Sequence, residues 1–106
     1  MRFLLQQGLT VLAQNERIGR LEVDVVVRDG DAVAIVEVRT RGPGAWQTAL
    51  GSIDRAKQSR LRQAGRRLWA KRYRYLDGVD RLRFDVVGVD LDSGDEPLIE
   101  YVKAAF

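Results

Sequence analysis

The sequence predicts an α/β fold, a mixed central sheet of about five strands with one long basic helix packed across it. Three observations carry this. Residues 20–28 and 32–40 alternate with a period of two and hold Val or Ile on both faces, as strands covered from both sides do. A later stretch places apolar residues three and four apart, the period of an amphipathic helix. The length of 106 residues fits one domain, 1–106, with one modest core, and no linker or repeat interrupts it.

The elements follow in order. Residues 2–8 read as the end of a helix and 9–13 as a short strand. RLEVDVVVR (20–28) and AVAIVEVRT (32–40) are the two main strands, joined by a tight turn at Asp29-Gly30. Residues 41–51 read as a loop. Its Gly42-Pro43-Gly44 lacks the Gly-Lys-Ser/Thr that completes a phosphate cradle, so it is a plain connection, and Trp46 is a core or lid aromatic. Asp54 suits an N-cap, and a helix runs from it to about Tyr75 with Ile53, Lys57, Leu61, Ala64 and Leu68 on one stripe. Trp69, Tyr73 and Tyr75 near its end read as packing on the sheet. Asp77-Gly78 breaks the helix. Residues 82–91 form a strand, 92–97 a turn and 98–103 the last strand. The order is (α)βββαββ.

Cys and His are both absent. Disulfides, thiolate catalysis, a serine–histidine triad, the usual zinc ligands and imidazole acid–base chemistry are therefore excluded. Chemistry is left to carboxylates, Arg, Lys, hydroxyls and a hard metal ion. No apolar run approaches the roughly 20 residues that span a bilayer, and the N-terminus does not read as a secretory signal. The expectation is a cytoplasmic protein with no membrane partner.

Net charge is only +3, but it is unevenly placed. Residues 52–75 hold nine basic residues against one acid, Asp54, a local charge of +8, while the rest holds nine against fourteen, or −5. A helix carrying Arg55, Lys57, Arg60, Arg62, Arg66 and Arg67 suits phosphate, because the guanidinium fork grips oxygens in pairs. The plain alternative is a solvated helix face, although such faces usually intersperse Glu, and this one has none.

The hairpin brings acids together. With a two-residue turn at Asp29-Gly30, Glu22 faces Glu37 and Asp24 faces Ile35. With a four-residue loop, Asp24 faces Glu37 directly. In either register Glu22, Asp24, Glu37 and Arg39 share one face, opposite an apolar patch of Val23, Val25, Val27, Ala34, Val36 and Val38. Clustered carboxylates repel unless one is protonated, a cation neutralises them or they bind a metal. Oxygen-only ligands favour Mg²⁺ or Mn²⁺, which take one or two carboxylates with waters and phosphate oxygens. An ion-pair cluster of Glu22, Glu37 and Arg39 with Arg20 is the structural alternative.

Asp24 followed by Glu37-Val38-Arg39 resembles the D-x(n)-E-x-K core of the PD-(D/E)XK nuclease superfamily. More closely, the chain resembles the YraN family of small bacterial endonuclease-like proteins. The likeness lies in GLTVLAQN (8–15), LEVDVV (21–26), VEVRTR (36–41), Ile53-Asp54 with Lys57-Gln58 and Arg60-Leu61, RFDVV (83–87) and Ala105-Phe106. It implies a restriction-endonuclease-like core in which Asp24 and Glu37 bind Mg²⁺ and position 39 orients or activates the attacking water. It also implies Glu22 beside the site, and Lys57 and Gln58 as auxiliary polar groups. Asp85, inside a family stretch, reads as a structural ion pair. Two departures stand out. Position 39 is Arg, which stays protonated and serves as an electrostatic stabiliser, not as a base. Relatives also begin with a longer helix bearing a Gly-Glu pair, so the family's N-terminal helix is expected to be shortened here.

The expected function is Mg²⁺-dependent hydrolysis of nucleic-acid phosphodiesters, DNA preferred, with Asp24, Glu37 and Arg39 as catalytic residues. Arg41, Arg55, Lys57, Arg60, Arg62, Arg66 and Arg67 are the expected nucleic-acid contacts, and a homodimer is the expected assembly. The alternative is a catalytically inactive nuclease-fold module that binds branched or single-stranded nucleic acid.

Overall fold

The computed structural model describes residues 2–41, 53–90 and 98–106. Five strands form one mixed sheet in the order β1-β2-β3-β4-β5: β1 (Thr10–Ile18), β2 (Leu21–Asp29), β3 (Ala32–Arg41), β4 (Arg81–Asp90) and β5 (Leu98–Val102). A short helix, α1 (Arg2–Gln6), precedes β1, and the long helix α2 (Arg55–Lys71) connects β3 to β4. Neighbours pair antiparallel except β3 and β4, which run parallel. A parallel pair needs a crossover, and α2 supplies it.

Each element has a local cause. Asp54 caps α2, its carboxylate accepting the Lys57 N–H at 2.8 Å. Leu61, Ala64, Gly65 and Leu68 form the buried stripe of α2. They pack on Val23, Val26, Val33 and Ile35, with Trp69 and Phe84 at the margin. The opposite face holds Val25, Val27, Ala34, Val36 and Val87 under Leu4 and Leu9. Gly65 sits on the helix because the aromatic ring of Phe84 lies against it: an added Cβ would meet Phe84 Cε1 at 2.6 Å.

Several boundaries differ from the sequence reading. The hairpin turn is Gly30-Asp31, with Asp29 opposite Ala32, because Gly30 is the residue that takes positive φ. β1 runs on to Ile18, beyond residue 13, as an edge strand whose polar residues Gln14, Asn15 and Arg17 face solvent. α2 ends at Lys71, and Tyr73–Tyr75 form a separate 3₁₀ turn. The loop with Gly42-Pro43-Gly44 and Trp46, and the turn at 92–97, lie outside the described residues. Tyr73 is buried and Trp69 packs on the core as expected, but Tyr75 is 67% exposed, held by Arg74 4.6 Å above its ring.

The single apolar patch expected on β2 is also corrected. Val23 belongs with Val26 on the α2 side, whereas Val25 and Val27 lie on the other side. The alternation therefore slips at Asp24. The β2–β3 ladder stops at Val25↔Val36, Asn15 of β1 adopts φ 51° between the pairs Gln14↔Val25 and Glu16↔Val23, and the register of β1 on β2 shifts between Val11 and Ala13.

Candidate functional site

The slip at Asp24 makes a local geometry that regular pairing would not give. With no ladder partner there, Asp24 turns its carboxylate across to β3, and its Oδ2 accepts the Val38 N–H at 2.9 Å. That brings it beside the neighbouring residue, Glu37, within side-chain hydrogen-bonding reach. Glu37 is buried, its side chain 6% exposed. Two cations lean on the same oxygen: Lys57 Nζ stands 3.7 Å and Arg39 Nη1 3.9 Å from Glu37 Oε1. Lys57 comes from the first turn of α2, so the helix start and the carboxyl half of β3 meet here.

The electrostatics follow from burial. The Glu37 carboxyl is pushed above its ordinary value, first by loss of water and then by the neighbouring Asp24 charge; Lys57 and Arg39 only partly oppose this. A buried acid that both cations leave under-compensated is a place for further positive charge. Among the described residues no group of three or more acids gathers. Two carboxylates still suffice for a hard divalent ion that completes its shell with waters and phosphate oxygens. The donor set therefore fits Mg²⁺ or Mn²⁺.

Not every residue expected at the site joins it. Glu22 lies before the slip and is exposed, pairing with Arg17 of β1 at 3.2 Å, so it does not share a face with Glu37. The Gln58 amide donates to the Ile53 carbonyl at 3.2 Å and so holds the chain entering α2. Arg41 ends β3 opposite Asp90, and its side chain falls outside the described residues. Arg55, Arg60, Arg66 and Arg67 are exposed along α2, while Arg62 is half-buried, its guanidinium 5.5 Å from the ring centre of Phe106.

Asp85 is a buried structural acceptor. Arg83 grips it with two bonds of 2.9 Å, the Tyr101 hydroxyl donates to it, and the Ala104 N–H donates at 2.9 Å. Arg83 also reaches Asp29 at 3.0 Å, and Lys103 meets Asp29 at 3.1 Å. Burial and the Asp85 bond push the Tyr101 hydroxyl well above its usual range, and the Lys103 bond holds Asp29 below its own. The sequence signal for the Arg83–Asp85 pair was their i, i+2 spacing on one strand. Nothing local signalled Tyr101 or Lys103, nor Glu16, which bonds both Arg72 and Tyr73.

Residues 1–89 match the sequence model of a family described as Uncharacterised protein family UPF0102. A UPF0102 protein of Sorangium cellulosum is 50% identical over 103 residues, covering 97% of this chain and 72% of its own length. One from Pseudomonas fluorescens is 42% identical over 106 residues, covering 100% of this chain and 85% of its own. A third, from Shewanella pealeana, is 35% identical over 106 residues and covers 99% and 86%.

Proposed function

The chain belongs to the UPF0102 family, the YraN family, and from its site we propose that it is a Mg²⁺-dependent endonuclease acting on nucleic-acid phosphodiesters, DNA in preference. One observation carries the reading: a buried, under-compensated Glu37 beside Asp24, with Lys57 and Arg39 against it, at the start of a helix rich in arginine. Asp24, through the oxygen not held by Val38, and Glu37 would hold the divalent ion. When bound, such an ion supplies Lewis-acid polarisation of a phosphoryl oxygen. Arg39 and Lys57 offer positive charge where the phosphate gains negative charge. Exposed cations of α2 offer contacts to the nucleic-acid backbone. No helix among the described residues is long and apolar enough to cross a membrane.

A second reading has its own support. Arg39 stands where the nuclease pattern has Lys, and Lys57 and Arg39 both lean on Glu37. This favours an inactive module that binds branched or single-stranded nucleic acid. One experiment separates the two: labelled duplex, single-stranded and four-way-junction DNA are incubated with Mg²⁺, Mn²⁺ or EDTA. The endonuclease reading expects cleavage that EDTA stops and that Glu37→Gln abolishes. Binding without cleavage in every condition selects the module, and no binding at all ends both.

A further inference from the structure

The cations of α2 do not form one stripe. At 3.6 residues per turn they fall on two flanks of the buried Leu61–Leu68 stripe. Arg60, Arg67 and Lys71 lie within about 40° of one another on one side, and Arg55, Arg62 and Arg66 within about 40° on the other. The two flanks overlie different ends of the sheet. Arg67 lies over the β1–β2 turn, its Nη1 3.4 Å from where a Cβ on Gly19 would be. Arg62 lies on the opposite side, over Phe106, which stacks on Phe84 of β4 at 5.4 Å.

Only one flank is continuous with the candidate site. Lys57 lies within the buried stripe, on its half nearer Arg60, and it reaches Glu37. Asp24 is on β2, also toward β1. From Lys57 to Lys71 the helix rises about 21 Å, at 1.5 Å per residue. That matches about six base-pair steps of 3.4 Å along a duplex strand. The flank ends where Arg72 is taken up by Glu16. Among the described residues Arg60, Arg67 and Lys71 have no carboxylate partner.

We infer that duplex DNA lies along the β1-facing flank of α2, over Lys57, Arg60, Arg67 and Lys71, while Arg55, Arg62 and Arg66 face away from it. The inference rests on the nucleic-acid reading above and adds the side and direction of approach. Its consequence is that a duplex positioned by Arg60, Arg67 and Lys71 runs into the Asp24–Glu37 end of the sheet.

The test is a salt titration of binding to a fluorescein-labelled 20-base-pair duplex with EDTA present, so that nothing is cut. One variant carries Arg60→Gln, Arg67→Gln and Lys71→Gln. The other carries Arg55→Gln and Arg66→Gln, sparing Arg62 because it packs on Phe106, and melting curves confirm that both are folded. Each lost phosphate contact lowers the slope of log K against log salt by about 0.9, so the first variant is expected to lose about 2.7. Between 50 and 200 mM salt, its affinity should then fall about 40-fold less than that of the unaltered protein. The second variant should keep the original slope. Equal losses in both variants, or a larger loss in the second, would overturn the inference while leaving the nucleic-acid reading intact. An unaltered protein that binds no DNA would remove both.

Discussion

Asp24 of β2 accepts the backbone N–H of Val38 of β3, at 2.9 Å, just past the point where the ladder between those strands ends. A side chain thus takes over from a backbone carbonyl. The same carboxylate that would hold a cation is therefore also part of how the two strands are joined, with one oxygen committed to Val38.

Asp24→Ala and Asp24→Asn should accordingly part company. Alanine leaves the Val38 N–H without its acceptor and should cost about 1–3 kcal/mol. Asparagine keeps an acceptor oxygen and removes the charge that repels Glu37, so its stability should stay within about 0.5 kcal/mol of the original. Urea unfolding distinguishes them, and equal stability of the two variants would show that the Val38 bond contributes nothing.

Glu37 titrates above its ordinary value of 4.5 because it is buried beside Asp24. The native state then holds a proton that the unfolded chain has released, so this group's contribution to stability falls as pH rises from about 4.5 through the native titration. At neutral pH its ionised form is a cost. Glu37→Gln should raise the melting temperature at pH 7, with the gain shrinking to nothing below about pH 4. Mn²⁺ should raise the melting temperature of the original protein and not that of Glu37→Gln. A variant less stable at pH 7 would mean that Lys57 and Arg39 outweigh burial.

Removing the acceptor at the centre of the buried network should be far more damaging. Asp85→Ala leaves Arg83, whose side chain is only 11% exposed, with Asp29 alone. Breaking a buried pair in this way costs about 3–5 kcal/mol. At about 4–8 °C per kcal/mol for a chain of this size, the melting temperature should drop by well over 10 °C. Tyr101→Phe removes one donor and should cost about 1 kcal/mol. A mild effect of Asp85→Ala would exclude the network as what fastens β5 and the C-terminal residues to β4.

Gly65 tests packing against propensity. In an exposed helix interior, Gly→Ala gains about 1 kcal/mol. Here the new methyl would lie 2.6 and 2.8 Å from Phe84 ring atoms and 3.0 Å from Ile35 Cγ1. Overpacking of this kind costs about 1–3 kcal/mol, so Gly65→Ala should lower stability. Chemical denaturation decides the sign, and a gain would mean that the Phe84 ring moves aside freely.

The order of the elements was legible because each depends on neighbours in the chain. The Val alternation of β2 and β3, the Leu61–Leu68 stripe, the Asp54 cap and the Gly30 turn are all set within a few residues. The acids Asp24 and Glu37 were visible for the same reason, lying on two strands of one hairpin. The edge strand β1 was cut short because its exposed polar residues show no period.

The sequence by itself therefore determined an α/β chain with one hairpin, one crossover helix, no imidazole or thiol chemistry and a strong local excess of arginine. Tertiary structure decided which charges meet. Glu22 was two residues from Asp24 and is turned away to Arg17, because the slip at Asp24 reverses the faces of β2. Lys57 was twenty residues from Glu37 and is brought to 3.7 Å, because α2 folds back over β3. Tyr101, sixteen residues from Asp85, closes the buried network by the pairing of β5 with β4. Periodicity is a local property of a chain, but a strand slip and an ion pair across elements depend on how separate segments pack, and only the assembled core fixes that.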